Sequence, residues 1–339
     1  MVGNIGSYKR YSDIPFNKAD VFQVSEGNVM SCYVAEEDLA RDFEEGALFL
    51  NRPKAQEYIN VAKAQCQKHR DFFDNFKTQK LEKLSDQELL TYWQGLIDNY
   101  CHSVSYFRST QEEPSRKIVS TVTDVVTPEE ASLLLLSPEL DDINKEEMNW
   151  EELVASGFTD EKAFAHIAKY PWLFQNSLTY EETVIELKQR LENHVSRNVA
   201  EEKEELKHKQ AELLQKYSIP KEHIETLHEL ALLRPEVKAC WAATGYYAAP
   251  LLQEIAKRKG IDLHTLAFLY RSEDIDELLA TGCVLTESEV AVRKLCTAYE
   301  LVDGTLTSYL GEEALELKKK VLGVTDKGEI SEIKELITL

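Results

Sequence analysis

Glycine is scarce in this chain, at 13 of 339 residues, against a usual share of about 7% in globular proteins. The phosphate-binding loops of nucleotide-binding folds need glycines, because their backbone must turn tightly and approach the phosphates closely. Neither a Walker A motif nor a G-x-G-x-x-G fingerprint is present in the sequence. We therefore do not expect this chain to hold a nucleotide in a glycine-rich loop.

Positive charge is also in short supply. The chain has 39 Lys and Arg residues against 60 Asp and Glu residues, which gives a formal net charge of −21. Nucleic acids and anionic membranes are held largely by Lys and Arg side chains. The composition therefore argues against nucleic acid or a membrane as the main partner, although it leaves room for a local basic pocket.

The sequence has no C-x-x-C pair and no long apolar segment. Its six cysteines, at positions 32, 66, 101, 240, 283 and 296, lie far apart, which favours buried or incidental thiols in a reducing compartment over a disulfide or zinc framework. The first ten residues, MVGNIGSYKR, lack the apolar core of a signal peptide, and no apolar run approaches the ~20 residues of a membrane span. We expect a cytoplasmic protein.

The most abundant pattern in the sequence is the helical spacing of apolar residues. Apolar residues recur at spacings of three and four from Ile59 to Phe76 and again from Leu89 to Phe107, which predicts helices over about 53–78 and over the second stretch. The segments ADVFQV and SCYVA favour short strands near the N-terminus, and Asp303-Gly304 between β-favouring runs predicts a hairpin near 297–310. The predicted fold class is therefore mainly α and bundle-like, with short β elements near the N-terminus and this one hairpin.

Four Ser/Thr-x-x-Glu pairs indicate helix starts by the capping-box pattern. They begin at Ser85, Thr127, Thr179 and Thr286. After Thr179, a narrow apolar stripe predicts one long helix over about 180–217, which would measure ~57 Å at ~1.5 Å per residue. Two further helices are expected after Pro220, at about 221–234 and 236–259.

The acidic stretch SPELDDINKEEMN, residues 137–149, is poor in large apolar side chains and indicates a linker or a domain border. We accordingly predict two domains. Residues 1–145 would form a helical domain with short strands, and residues 146–339 would form a second helical domain.

Few patterns indicate catalytic or metal chemistry. Glu-x-x-His pairs occur at Glu205–His208 and Glu225–His228, the unit that di-iron bundles project inward. The first pair lies in a stretch almost without apolar neighbours and Pro220 separates it from the second, which favours a solvated helix face. No G-x-S-x-G elbow and no H-E-x-x-H motif is present. We therefore predict no catalytic residue and no metal ligand.

The segment CWAATGYYAAPLL, residues 240–252, combines small side chains with aromatic ones. Small residues let helices approach closely, so Trp241, Tyr246 and Tyr247 either pack in the core or line a groove that faces a ligand.

Three stretches, in order, resemble the region that joins the ATP-binding part to the phosphohistidine part of PEP-utilising phosphotransferases, the group that includes PEP synthase, pyruvate phosphate dikinase and the rifampicin phosphotransferases. They are KYPWLFQNSLTYEETVIELKQRL from residue 169, LAFLYRSEDIDELLATG from residue 266, and VAVRKLCTAYELVDGTLTSYLGEEA from residue 290. Together they extend across most of the region 150–339, from residue 169 to residue 314, while the N-terminal third matches only loosely.

The resemblance implies a central helical region that binds the acceptor substrate or links the catalytic domains. No ATP-grasp unit and no glycine-rich turn with a phosphohistidine is found in the sequence. ATP and Mg²⁺ would therefore belong to separately encoded or missing partner domains, and we expect the chain to bind no cofactor and to transfer no phosphoryl group alone. A pocket for a small-molecule acceptor would have aromatic walls and an arginine for an anion, although each arginine could equally be a surface or helix-end residue. The candidate residues are Trp172, Trp241, Tyr246, Tyr247, Tyr270, Arg271 and Arg293.

Two other interpretations stay open. The chain could be a helical scaffold or regulatory protein that docks a partner through the predicted helix over 180–217, in which case deleting residues 185–215 would abolish docking. It could also be a free-standing enzyme whose site the sequence does not reveal, and a metal or cofactor in the purified protein would favour that interpretation.

Overall fold

A computed structural model describes residues 3–26, 29–139, 142–174, 177–195 and 198–322. The fold is mainly helical, as predicted, with a small four-stranded sheet. The α-helices are α1 (Gly3–Arg10), α2 (Glu36–Glu45), α3 (Arg52–Lys77), α4 (Asp86–Val104), α5 (Glu112–Thr123), α6 (Pro128–Leu135), α7 (Asp142–Ala155), α8 (Asp160–Lys169), α9 (Tyr180–Glu192), α10 (Val199–Lys216), α11 (Lys221–Lys259), α12 (Leu263–Leu269), α13 (Ser272–Thr281), α14 (Glu287–Leu295) and α15 (Glu312–Leu322). The strands are β1 (Val21–Glu26), β2 (Val29–Val34), β3 (Thr297–Val302) and β4 (Thr305–Leu310). In the part of the chain described here, no helix is both long and apolar enough to cross a membrane.

The chain divides into two compact units, and neither is continuous in sequence. Unit 1 takes Met1–Asp42, Thr78–Ser105 and Pro250–Leu339, as far as these are described, and unit 2 takes Phe43–Lys77 and Tyr106–Ala249. The border predicted between residues 145 and 146 falls inside unit 2. A division along the chain could not anticipate this arrangement, because strands from opposite ends of the sequence pair with each other in unit 1.

The sheet of unit 1 is antiparallel throughout, in the order β2-β1-β3-β4. β1 pairs directly with β3, so that Val24 lies opposite Ala298. Successive side chains point to opposite faces of a strand, and two apolar clusters form accordingly. One face packs Val21 and Leu301 with Ile5 of α1; the other places Val24 and Ala298 in a cluster with α15.

The predicted hairpin near 297–310 is confirmed. β3 and β4 pair in register from Thr297↔Leu310 to Val302↔Thr305, leaving a two-residue turn. Asp303 and Gly304 have φ of 48° and 75°, the left-handed conformation that such a turn requires at both positions. Asp303 also donates its backbone N–H to Asp20 Oδ1 at 3.0 Å.

All four predicted capping boxes are confirmed at α4, α6, α9 and α14. At α9, Glu182 N donates to Thr179 Oγ1 at 3.3 Å, while the Glu182 carboxylate accepts from Thr179 N at 3.2 Å. Each box satisfies two backbone N–H groups that a helix start would otherwise leave without partners.

The single long helix predicted over 180–217 is wrong, because two helices occupy this range. α9 ends at Glu192, with Asn193 as its C-terminal cap, and α10 begins at Val199, with the Asn198 side chain accepting from Glu201 N at 3.2 Å. Between them, His194 Nδ1 accepts a hydrogen bond from Trp150 Nε1 at 3.2 Å. A tertiary bond and two asparagine caps therefore interrupt the helical pattern, and the docking arm on which the scaffold interpretation relied is not one continuous helix.

The longest helix is instead α11, with 39 residues, or ~58 Å at ~1.5 Å per residue. Two helices were predicted here, divided at Pro235. A proline removes one N–H from the helix ladder and usually ends or kinks it. The flanking Leu233 and Val237 are completely buried, and their packing outweighs the loss of one hydrogen bond.

The stretch 137–149 is not simply a linker, since α7 begins within it at Asp142. Its acidic residues include Glu146, which is 3% exposed and is bonded to His166 and Arg190. The Glu146 carboxylate, which the acidic sequence around it suggests is solvated, is thus buried and hydrogen-bonded to partners 20 and 44 residues away.

Candidate ligand-binding site

The candidate site is a cavity of about 400 Å³ within unit 2, a size in the range of small-molecule sites. Two walls line it. The first wall is built from α3 and α11, and its residues are His69, Arg70, Asp74, Lys77, Ala239, Cys240, Ala243 and Tyr247. The second wall is built from α7, α8 and the 3₁₀ turn Pro171–Phe174, and its residues are Lys145, Asn149, Ala168, Lys169, Tyr170, Pro171 and Trp172.

The first wall follows from helical spacing. Its residues on α3 and on α11 recur at intervals of about three and four, which places each set on one helix face. The Tyr247 ring of α11 stacks on Phe73 of α3, with centroids 4.1 Å apart and planes 10° apart. Ala243 and Ala239, one and two turns before Tyr247, have small side chains that leave the space open.

The charged groups of the first wall are paired with carboxylates. Arg70 Nη2 lies 2.8 Å from Glu236 Oε1, and Lys77 Nζ lies 3.1 Å from Asp74 Oδ1. Burial disfavours the charged form of Lys77, but its hydrogen bonds and charge interactions with Asp74 and Tyr247 together outweigh this and raise the pKa of the ammonium. This wall therefore offers polar groups whose positive charge is largely balanced.

Two cysteines lie at the first wall: Cys240 lines the cavity, and Cys66 of α3 contacts Cys240. Cys240 Sγ is 3.7 Å from the carbonyl oxygen of Cys66 and 3.8 Å from Arg70 Nη1. A hydrogen bond with Cys240, together with burial, raises the pKa of the Cys66 thiol. Because the thiolate is the reactive form of cysteine, Cys66 is suited to packing rather than to nucleophilic chemistry.

The second wall is held by a buried charge cluster. His166 Nε2 donates to Glu146 Oε1 at 2.6 Å, which ties α8 to α7, and Arg190 Nη1 of α9 donates to the same oxygen at 2.9 Å. Burial alone would raise the pKa of Glu146, but hydrogen bonds from His166 and Arg190 reverse the effect and lower it. Arg190 also covers the Trp150 ring, with its guanidinium carbon 4.3 Å from the centroid.

The charges that reach the cavity from the second wall are cationic. Lys169 Nζ donates to Asn149 Oδ1 at 2.8 Å, and Asn149 Nδ2 donates to the carbonyl oxygen of Lys145 at 2.8 Å. Tyr170 and Trp172 contact each other edge to face, with centroids 5.1 Å apart. Of the described residues that line the cavity, four are Lys or Arg and only Asp74 is acidic, the reverse of the chain as a whole.

Two of the predicted site residues line this cavity together, Trp172 and Tyr247. Tyr246 lies beside Tyr247 but joins another aromatic cluster, with Phe174 and Tyr180 each about 5.7 Å away between centroids. Trp241 packs edge to face on Phe107, at 5.6 Å between centroids, and does not line the cavity.

The other three predicted residues belong to unit 1 and have structural partners. Arg271 and Arg293 both bind Asp274, and Arg293 donates a further bond to the Leu269 carbonyl at 3.0 Å. Although burial alone would raise it, hydrogen bonds from the two arginines lower the pKa of Asp274 to about 2. Tyr270 Oη accepts from Leu285 N at 3.0 Å. Both guanidinium groups thus already have a carboxylate partner.

The lysines and the asparagine of the second wall were missed by the sequence analysis. Asn149 and Lys145 both lie in the acidic stretch 137–149, for which the sequence predicts a linker or a domain border. Lys169 directly precedes the Tyr-Pro-Trp segment, so its proximity to Trp172 was a usable signal.

No family model, no curated protein and no solved structure matches this chain. Within the described residues, no group of three or more His, Cys, Asp or Glu side chains is arranged to hold a metal ion.

Proposed function

We propose that this chain is the acceptor-binding component of a phosphotransferase of the PEP-utilising group. One observation carries the proposal: the stretch KYPW, which opens the segment that resembles those enzymes, forms the part of the cavity wall made by Lys169, Tyr170, Pro171 and Trp172. One of the three segments on which the resemblance depends therefore also shapes the cavity.

In this proposal, the chain binds the acceptor and partner domains carry out phosphoryl transfer. The cavity offers aromatic and small apolar surface with a few polar groups, which is how proteins bind small molecules. Phosphoryl transfer additionally needs clustered cations or metal ions around the phosphoryl group. In this proposal ATP, Mg²⁺ and the phosphohistidine come from partner domains, and this chain holds the acceptor.

A reducing compartment such as the cytoplasm suits the proposal. All six cysteines are free thiols, and all but Cys283 are buried, which is typical of proteins that keep their thiols reduced.

Reconstitution tests the proposal. The chain is mixed with the ATP-binding and phosphohistidine domains of a PEP-utilising enzyme, labelled MgATP and a small-molecule extract. We expect a labelled small molecule only when this chain is present. Trp172→Ala should reduce the product at least tenfold, since it removes an aromatic wall, while labelling of the partner's histidine stays unchanged.

Phe164→Ala is the matched control, because Phe164 is an exposed aromatic residue of α8 that does not line the cavity. Equal product without the chain would contradict the proposal, as would labelling of the isolated chain by ATP.

A further inference from the structure

We propose that the ligand of this cavity carries an anionic group, a carboxylate or a phosphate, held at the second wall beside Lys169, and a planar or apolar body that lies against Trp172 and Tyr247. The inference rests on the proposed function in that it assigns a chemical class to the ligand of the same cavity.

The two walls differ in charge balance. On the first wall, Arg70 is paired with Glu236 and Lys77 with Asp74. The described residues that line the second wall include two lysines and no carboxylate. A ligand anion is therefore favoured at Lys169, whose partner is a neutral amide, whereas at Arg70 or Lys77 it would compete with a carboxylate already present.

Lys169 is the cation most clearly prepared for a ligand. Its Nζ donates to the neutral amide oxygen of Asn149, and among the described residues it forms no ion pair. Asn149 is itself held by its bond to the Lys145 carbonyl, so the amide orients the ammonium without cancelling its charge. An ammonium has three donors, which leaves capacity for an anion.

The rest of the lining suits a planar body. The Tyr247 ring stacks on Phe73 and has Lys77 Nζ 5.2 Å from its centroid, and Trp172 is half-buried against Tyr170. Ala239 and Ala243 are almost completely buried and present only methyl groups. Flat apolar surface with small side chains accommodates an aromatic ring or another planar group.

The mouth of the cavity is exposed at Lys169 and Ala168, so water screens the interaction with the anion. Ion pairs at such positions contribute modestly, and we expect the anion to improve affinity about three- to fivefold over a neutral analogue, a difference that shrinks with added salt.

Three naphthalene probes test the inference: 1-naphthyl phosphate, 1-naphthoate and neutral 1-naphthol. Isothermal titration calorimetry on the full chain should show that one or both anionic probes bind about three- to fivefold more tightly than 1-naphthol in 50 mM KCl. Comparing phosphate with carboxylate identifies which anion the site prefers.

Substitutions of single residues test whether the anionic group of the probe binds at the second wall. Lys169→Gln should remove most of the preference for the anions and leave 1-naphthol binding unchanged. Lys68→Gln is the control, because Lys68 is an exposed lysine of α3 outside the cavity lining and its substitution changes the net charge equally. Ala168→Trp should block all three probes; Ala168 is exposed, so the larger side chain does not need to enter the core.

The outcomes separate the inference from the proposed function. Equal affinity for 1-naphthol and the anions, with Ala168→Trp blocking both, overturns the anionic class and leaves a ligand cavity. An anion preference that Lys169→Gln and Lys68→Gln reduce equally overturns the assignment to the second wall. Probe binding that Ala168→Trp does not affect, or no binding at all, contradicts both the inference and the cavity as an acceptor site.

Discussion

Replacing Glu146 by glutamine tests how the second wall is held. Glu146 is 3% exposed and accepts hydrogen bonds from His166 and Arg190. Glutamine keeps the volume and one accepting oxygen, so the substitution removes mainly the charge. Breaking a buried ion pair by removing one partner typically costs about 3–5 kcal/mol.

We expect a smaller loss here, of about 2–3 kcal/mol, because the Arg190 side chain is 29% exposed and water solvates part of its charge. For a unit of this size that loss corresponds to a fall of roughly 4–12 °C in the melting temperature. Thermal and urea unfolding followed by tryptophan fluorescence measure it, since Trp150 lies against Arg190 and His166.

The pH dependence of the free energy of unfolding provides a second measurement. The pKa of Glu146 is lowered in the folded protein from an ordinary value of 4.5. The stabilisation that the Glu146 carboxylate contributes to the folded protein is therefore fully present above pH 4.5, and it is lost as the pH falls through the lowered pKa of the folded state. The stability gap between wild type and Glu146→Gln should accordingly narrow below about pH 4.5.

Glu147→Gln is the matched control. Glu147 lies next to Glu146 and accepts from Arg190 Nη2 at 3.0 Å, but its side chain is 38% exposed, so its loss should cost less than about 1 kcal/mol. Equal stability of the two variants, or a gap that does not change with pH, would refute the buried cluster as the support of the second wall.

Two further predictions concern other parts of the fold. Asp274→Asn should destabilise unit 1 by about 3 kcal/mol, because it leaves the buried Arg293 guanidinium without a countercharge. Urea unfolding at pH 7 measures this loss. The difference in stability from wild type should shrink between about pH 4 and pH 2, since folding lowers the pKa of Asp274 from 3.8 to about 2. Thr179→Ala removes the capping box of α9 and should cost about 1 kcal/mol, seen as a lower urea midpoint, whereas an unchanged midpoint would show that the cap does not contribute to stability.

Local signals predicted the local structure well. The capping boxes, the helix α3 and the Asp303-Gly304 hairpin each depend on residues within one turn or one stripe, and all are confirmed. The errors arise where distant partners decide the conformation. The break between α9 and α10 follows Asn193 and the bond from Trp150 to His194, and α11 continues through Pro235 because its neighbours are buried.

The candidate site was predictable only in part, for the same reason. Tyr247 could be named because aromatic residues among small ones are conspicuous in a sequence, and Trp172 because it belongs to the segment that carries the resemblance. Arg271 and Arg293 were equally conspicuous, but Asp274, which pairs with both, could not be identified as their partner from spacing alone. The role of Lys169 could not be identified from the sequence, because Asn149, which orients it beside the cavity, lies 20 residues away.

The most direct test of the central claim is a crystal structure of the chain with 1-naphthyl phosphate. We predict the naphthalene ring against Trp172 and Tyr247, with a phosphate oxygen within about 3 Å of Lys169 Nζ. A cavity that excludes the probe, or a probe bound with its phosphate away from Lys169, would contradict it.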